Sequence, residues 1–422
     1  MRKRTACVQM FRNDAFVPAG LIEVTEDGRF SSCRFRYFDE YIERRDAVAV
    51  DPVSLPLHNA AKRVFEGPQG GDLFGGIEDA CPDSWGQHVL TSAAEDFGIT
   101  LTAYDYMLYA GPERIGGLGF SEKKDEAPFT SVPLWARNIS GSELNLEEML
   151  LAADKVDFAE KLEPRYRRFF VRGSSLGGAR PKAAIEYDGQ SCIAKFGAIR
   201  EMLPTCRLEH ATRNLADLCG IRTVKTQVVT VFGNRDILLA HRFDRENGVR
   251  KPFISALTLL GRSSSKHENP ASYSDIAFAM RRHCRADDLH SNLAELFARM
   301  TFNICCNNND DHLRNHGFLY EEGTGKNGWR LSPSYDVVPQ PRFDNSLSQL
   351  SLGVGIHGRT ASFENALSSC AHFGLSLEEA ASIVERIKGT ICANWEKVML
   401  DAGVPTSSLP VVRKSFKAVF ND

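Results

Sequence analysis

Apolar residues in the first part of the chain fall in short runs. Thr5 to Phe11 and Phe16 to Val24 read as strands, and a stretch around Ser84 to Phe97 has helical spacing. This opening α+β unit closes in Gly111-Pro112-Glu113-Arg114-Ile115-Gly116-Gly117. A charged, proline-containing segment from Ser121 to Pro128 follows and predicts a linker, with a boundary near residue 120. From about residue 170 a glycine-rich loop precedes two apolar runs, Ala183 to Tyr187 and Ser191 to Phe196. They are joined by Asp188-Gly189, a pair that accepts positive φ at both positions and so predicts a tight hairpin. Helical spacing over Leu208 to Leu218 leads to a second strand pair, Thr223 to Val231 and Asp236 to His241, turned at Gly233-Asn234. Beyond Arg245 the pattern is mainly helical, with apolar periodicity over Asn292 to Cys306 and Leu377 to Leu400. The order predicts a β-rich lobe followed by a helical one.

At 422 residues the chain is long enough for more than one core. Its 43% hydrophobic and 25% charged residues are ordinary for a folded globular protein. Lys and Arg number 51 against 54 Asp and Glu, so a net charge of −3 provides no global basic field for indiscriminate nucleic-acid binding. No run of about 18 apolar residues suggests a membrane span, and Met-Arg-Lys-Arg-Thr-Ala-Cys is not followed by the apolar core of a signal peptide. The expectation is a cytoplasmic protein without membrane contact. Its 11 cysteines are scattered from Cys7 to Cys392 without zinc-site or disulfide-scaffold spacing. Even the adjacent Cys305 and Cys306 lack a second thiol pair.

Three stretches carry candidate chemistry. Gly173-Ser174-Ser175-Leu176-Gly177-Gly178-Ala179-Arg180-Pro181-Lys182 gathers backbone amides, small side chains and a lysine ahead of a strand, which suits close approach to phosphates. Taken alone it fits a structural turn better than a phosphate cradle, and it lacks the strand-loop-helix order of a Walker motif. Lys195, inside the apolar strand Ile193-Ala194-Lys195-Phe196, needs a partner if buried, and Glu209 on the following helix is placed to supply one. A lysine snorkelling from an edge strand reads equally well. The strongest signal is Asn307-Asn308-Asn309-Asp310-Asp311-His312-Leu313-Arg314-Asn315, a polar loop between a helical apolar run and the strand-like Gly317 to Tyr320. Asp310 and Asn315 stand five positions apart, as do the base and metal-holding asparagine of a kinase catalytic loop. Further on, Asp336 in Ser334-Tyr335-Asp336-Val337 would be a second oxygen ligand for Mg²⁺, or the cap of a turn before Pro339. His312 and His316 are poor Mg²⁺ ligands and lack the companions of a zinc site. His312 is expected to support the loop by hydrogen bonding.

Ser-Leu-Gly-Gly-Ala-Arg-Pro-Lys at 175 to 182, Lys195, Arg242-Phe243-Asp244-Arg245, Asp310-Asp311-His312-Leu313-Arg314-Asn315 and Tyr335-Asp336 come in one order. In this the chain resembles the HipA-like serine/threonine kinases of bacterial toxin–antitoxin systems, over nearly its whole length. The resemblance implies an α+β, bilobal protein-kinase-like fold. A small N-terminal subdomain would span residues 1–120, a β-rich N-lobe 121–245 and a helical C-lobe 246–422. It implies ATP and Mg²⁺ as cofactors, Asp310 as catalytic base, and Asn315 and Asp336 as metal ligands. Gly177, Gly178, Ala179, Arg180, Lys182, Lys195, His312 and Asn315 would line the nucleotide, with His241, Arg242 and Phe243 as the hinge at its adenine. Ser175 would be the autophosphorylated serine that switches the kinase off, with Ser174 as a neighbouring alternative. A helix-turn-helix, HipB-like antitoxin would be the partner, DNA would be reached only through it, and the substrate would be translation-related, such as an aminoacyl-tRNA synthetase. Two other readings remain open: a catalytically weak nucleotide-binding corepressor, and a small-molecule or lipid kinase.

Overall fold

Strand β1 (Arg2–Arg12) turns back on β2 (Ala15–Asp27) through Asn13 and Asp14, at φ 48° and 64°. Asn and Asp tolerate this left-handed region, and two such residues make the turn whose twist suits a hairpin. With β3 (Phe30–Tyr37), β4 (Phe65–Glu66) and β5 (Leu118–Ser121) they form an antiparallel sheet ordered β4-β3-β2-β1-β5. The computed structural model describes residues 2–27, 30–68, 73–133, 145–157, 181–199, 201–263, 270–322, 327–344 and 347–420. Two units are distinguished: Met1–Ala198 with Val231–Gly233 and His241–Lys266, and Ile199–Thr230 with Asn234–Ala240 and His267–Asp422.

In the first unit β1 is buried from Ala6 onward on both faces, which is why its sequence reads as a continuous apolar run rather than an alternation. The one amide in that run, Gln9, is 2% exposed and donates to Ser121 Oγ and to the carbonyl of Glu126, each at 2.8 Å. Phe129 N donates to Phe120 O at 3.0 Å. The segment expected to be a linker, Ser121 to Pro128, is therefore folded back on β1 and β5, because a buried Gln9 requires an acceptor from it. Helices α1 (Ser84–Glu95) and α2 (Ala103–Tyr109) follow β4. Asp83 caps the first, and Thr102 and Asp105 form a reciprocal capping box on the second.

The Gly111–Gly117 piece and the Arg242-Phe243-Asp244-Arg245 motif meet in this unit. Arg242 grips Asp244 bidentately at 2.9 and 2.6 Å and donates to Glu113 O at 2.8 Å. Asp244 Oδ2 in turn accepts from Gly116 N at 2.8 Å. Burial pushes the Asp244 carboxyl up, but the Arg242 charge outweighs it and holds the group below the usual carboxylate range. Gly116 sits at φ 79°, and a Cβ there would lie 3.0 Å from Phe253 Cβ and 3.1 Å from Phe253 N. Gly116→Ala should therefore destabilise the protein by more than about 1 kcal/mol, measured as a lower urea midpoint.

Strands β6 (Lys182–Tyr187) and β7 (Gln190–Phe196) form the expected hairpin, with Asp188 at φ 48° and Gly189 at φ 71°. Helix α3 (Thr205–Leu218) lies in the second unit. After it come β8 (Thr226–Val231) and β9 (Arg235–His241), separated by a turn in which Phe232 and Gly233 take φ 49° and 76°. The expected turn at Gly233-Asn234 thus begins one residue earlier, at an aromatic residue that gives no turn signal. Then come α4 (Tyr273–His283), α5 (Leu289–Cys306), the hairpin β10 (Gly317–Glu321) and β11 (Gly328–Leu331), and α6 (Leu377–Asp401). Leu208, Leu215, Phe302, Cys305, Ile387 and Trp395 share one apolar core across α3, α5 and α6. Because α5 is buried nearly all round from Leu296 to Cys306, its C-terminal end is a rigid support for the polar loop that begins at Asn307. Among the described residues no helix is long and apolar enough to cross a membrane.

Candidate active site

Helix α5 ends at Asn307, which adopts φ 51°, ψ 41°. An asparagine can end a helix this way, and here its side chain locks the turn by donating to Gln340 O at 2.7 Å and accepting from Ser348 Oγ. The loop it releases closes in one short 3-10 turn, Leu313–Asn315, before β10 begins. The two consecutive aspartates have opposite environments: Asp310 is exposed, and Asp311 is 3% exposed. Asn315 is buried and donates through Nδ2 to Asp310 O at 3.1 Å, so Oδ1 is the atom it can offer a cation. His312 N donates to Asp310 O and Asn315 N to His312 O, both at 2.9 Å, while the His312 side chain is exposed.

Asp336 stands at φ 60°, where few residues other than glycine are found. Tyr335 Oη donates to Arg314 O at 2.7 Å, so the residues preceding Asp336 and Asn315 are tied to each other. The strand exit leading there is clamped by arginines, with Arg222 Nη2 donating to Leu331 O at 3.1 Å and Arg299 Nη2 to Ser332 O. Arg299 is buried, and desolvation lowers its pKa despite its ion pair with Glu295. An amide oxygen and a carboxylate on two tied segments suit Mg²⁺, which takes a few hard oxygens and keeps its waters. Among the described residues no group of three or more His, Cys, Asp or Glu side chains is placed to hold a metal ion.

The loop is supported through the second aspartate. Asp311 Oδ2 accepts from His316 Nε2 at 2.9 Å, from Asn303 Nδ2 at 2.7 Å and from Tyr273 Oη. Burial pushes the Asp311 carboxyl up. The charge and hydrogen bond of His316, with the bond from Tyr273, outweigh burial and hold the carboxyl below the usual range. Burial, and then Asp311, pushes the Tyr273 hydroxyl well up. His316 stands out in the sequence as a metal-ligand candidate beside His312, not as a partner of Asp311. Tyr273 and Asn303 gave no signal.

The remaining expected site residues lie elsewhere in the chain. Ser174, Ser175, Gly177, Gly178, Ala179 and Arg180 lie outside the described residues. Lys182 and Lys195 are direct cross-strand partners of β6 and β7, so their side chains leave the same face. The Lys182 ammonium is nearly buried and lies 4.0 Å from Asp83 Oδ2, while its carbonyl accepts from Trp85 Nε1 at 3.3 Å. Glu209 forms a buried i,i+4 ion pair with Arg213. His241 ends β9, and the Phe243 ring lies 6.1 Å from that of Phe253. The Arg242 guanidinium serves Asp244 and Glu113, and its amide donates to Ser191 O at 2.9 Å, so both serve the fold.

Known proteins resemble this chain in fold and, over part of its length, in sequence. Shewanella oneidensis MR-1 HipA, solved with HipB and operator DNA, superposes with a TM-score of 0.66 at 16% identity, covering 98% of this chain and 96% of that one. At that identity the likeness establishes the fold, an α+β fold of HipA type. The Helicobacter pylori proinflammatory kinase CtkA, at TM-score 0.36 and 12% identity over 57% of this chain and 94% of that one, is too distant to weigh. A candidate kinase of Haemophilus influenzae is 27% identical over 153 residues, which is 33% of this chain and 43% of that protein. The chain thus matches less than half the length of that relative. The model of the HipA-like C-terminal domain family matches residues 174–395, over half of the 422 residues and inclusive of Lys195, Asp310, Asn315 and Asp336, and the chain belongs to that family.

Proposed function

We propose that the protein is a serine/threonine protein kinase that uses ATP and Mg²⁺, with Asp310 as the base for the acceptor hydroxyl. The observation that carries this reading is the Asp310–Asn315 loop. An exposed carboxylate and a buried amide oxygen are held together by the Asn315 Nδ2 bond to Asp310 O, on a segment tied to that of Asp336. Asn315 and Asp336 would hold the metal ion, which supplies charge neutralisation on the phosphates when bound. Lys182 and Lys195, whose side chains leave one face of the β6–β7 hairpin, are in this reading the cations that meet the nucleotide's phosphates. A carboxylate exposed to the acceptor can orient the hydroxyl and receive its proton as the bond to phosphorus forms.

In this reading the protein is the cytoplasmic toxin of a toxin–antitoxin module. It phosphorylates a translation-related protein, such as an aminoacyl-tRNA synthetase, and silences itself at Ser175. The complex in which Shewanella HipA stands with HipB and operator DNA supports a HipB-like helix-turn-helix antitoxin as partner, with DNA reached through it. Incubation with labelled ATP and Mg²⁺ should label Ser175, and mass spectrometry of the purified protein shows beforehand whether that serine is already modified. Asp336→Ala should lower the initial rate at least tenfold and shift its Mg²⁺ dependence to higher concentration. An unlabelled, unmodified wild type across divalent metals would discard the kinase reading in favour of the corepressor.

A further inference from the structure

We infer that Asp311 and His316 form a clasp that sets the separation of Asp310 and Asn315, making Asp311 a positioning residue for phosphoryl transfer. The inference rests on the kinase reading above. Each member of the clasp lies one residue beyond a candidate site residue, Asp311 after the base Asp310 and His316 after the metal ligand Asn315. The 2.9 Å bond from His316 Nε2 to Asp311 Oδ2 therefore closes the loop at both of its functional ends.

The clasp is anchored from outside the loop. Tyr273, the first residue of α4, donates to the same Oδ2, and its own amide donates to Gly353 O at 3.0 Å. Asn303, in the last turn of α5, donates to that oxygen at 2.7 Å and to Tyr273 Oη at 3.1 Å, and its Oδ1 accepts from Asn308 Nδ2 at 3.1 Å. The Tyr273 and His316 rings pack edge to face, with centroids 5.6 Å apart. A single carboxylate oxygen thus joins the start of one helix, the end of a second and the entrance to β10.

Packing alone does not call for such an arrangement. Asp311 and His316 are 3% and 2% exposed, and a buried charge is desolvated at a cost that apolar residues of similar volume avoid. What the carboxylate offers and an apolar side chain does not is directionality, with three donors converging on one oxygen and fixing the backbone beside it. Geometry of that kind matters for transfer in line, where displacement of a catalytic group by about 1 Å lowers rates on the order of 100-fold.

The test compares Asp311→Ala, Asp311→Asn, His316→Ala, His316→Gln and the Asp311→Ala/His316→Ala pair in the full chain. The readouts are single-turnover autophosphorylation with Mg²⁺ and ATP, binding of a fluorescent ATP analogue, and thermal melting. Asp311→Ala and His316→Ala should each lower the transfer rate about 100-fold and raise the Mg²⁺ concentration for half-maximal rate, with analogue affinity changed less than threefold. The double variant should be no slower than either single one. His316→Gln, whose amide can still donate to Asp311, and Asp311→Asn, which keeps an acceptor oxygen, should each recover at least tenfold over the corresponding alanine. If Asp311→Ala does not fold, the two His316 variants decide. A fully active Asp311→Ala beside an active wild type overturns the clasp alone, as does a His316→Gln no better than His316→Ala. A wild type that transfers no phosphate overturns the kinase reading and this inference with it.

Discussion

Asp310→Ala is expected to lose phosphoryl transfer by about 10²- to 10⁴-fold, the range supplied by a positioned general base, while the protein remains folded. Asp310 is exposed, so truncating it leaves no buried group unpaired, and a change in stability within about 0.5 kcal/mol is expected. Its backbone carbonyl, which accepts from Asn315 Nδ2 and His312 N, survives the substitution and keeps the loop closed. Rate and melting measured on the same preparation separate the two effects. An inactive variant with an unchanged melt supports Asp310 as the base, whereas an active variant removes it from that role. Phosphoproteomics of cells expressing wild type beside Asp310→Ala would then identify the acceptor.

The largest loss of stability is expected at Asp244. Asp244→Ala leaves the Arg242 guanidinium, whose side chain is 1% exposed, without its bidentate partner, and takes the acceptor from Gly116 N. Breaking one side of a buried ion pair costs about 3–5 kcal/mol, and the lower end is expected here because Arg242 keeps Glu113 Oε2 at 3.4 Å. Urea unfolding should show it as a lower midpoint at an unchanged slope. The folded Asp244 carboxyl is held below its unfolded value. Its stabilising contribution is therefore complete above an ordinary aspartate pKa of about 3.9 and is lost as pH falls through the folded value. The difference between wild type and Asp244→Ala should accordingly narrow below about pH 4. Replacing both Arg242 and Asp244 with leucine should cost less than Asp244→Ala alone, since no charge is then stranded.

The hairpin at Asp188-Gly189, the periodic helices over Asn292 to Cys306 and Leu377 to Leu400, and the strands opening the chain were legible without coordinates. Each depends on backbone preference and on the side-chain period of a single element. Less legible were the turn at Phe232, an aromatic residue at positive φ, and the path of Ser121 to Pro128, whose charged, proline-containing composition describes a loop equally well whether it is free or packed. The spacing of Asp310 and Asn315 stood out because both lie in one short loop, so five residues of chain already limit how far apart they can be.

What the sequence by itself determined, then, is local: element types, the hairpin turn, the polar loop ending an apolar helix, and the residue types able to hold Mg²⁺. Which of two adjacent aspartates faces solvent was decided only by tertiary structure. Asp311 is buried because Tyr273, 38 residues earlier in the chain, and Asn303 on α5 converge on its carboxylate. Likewise, Arg242 meets the carbonyl of Glu113 across 129 residues, a pairing that neither motif implies alone. The physical reason is the same in both cases: a buried charge is tolerated only where donors and acceptors from distant segments arrive together, and their arrival is a property of the packed chain.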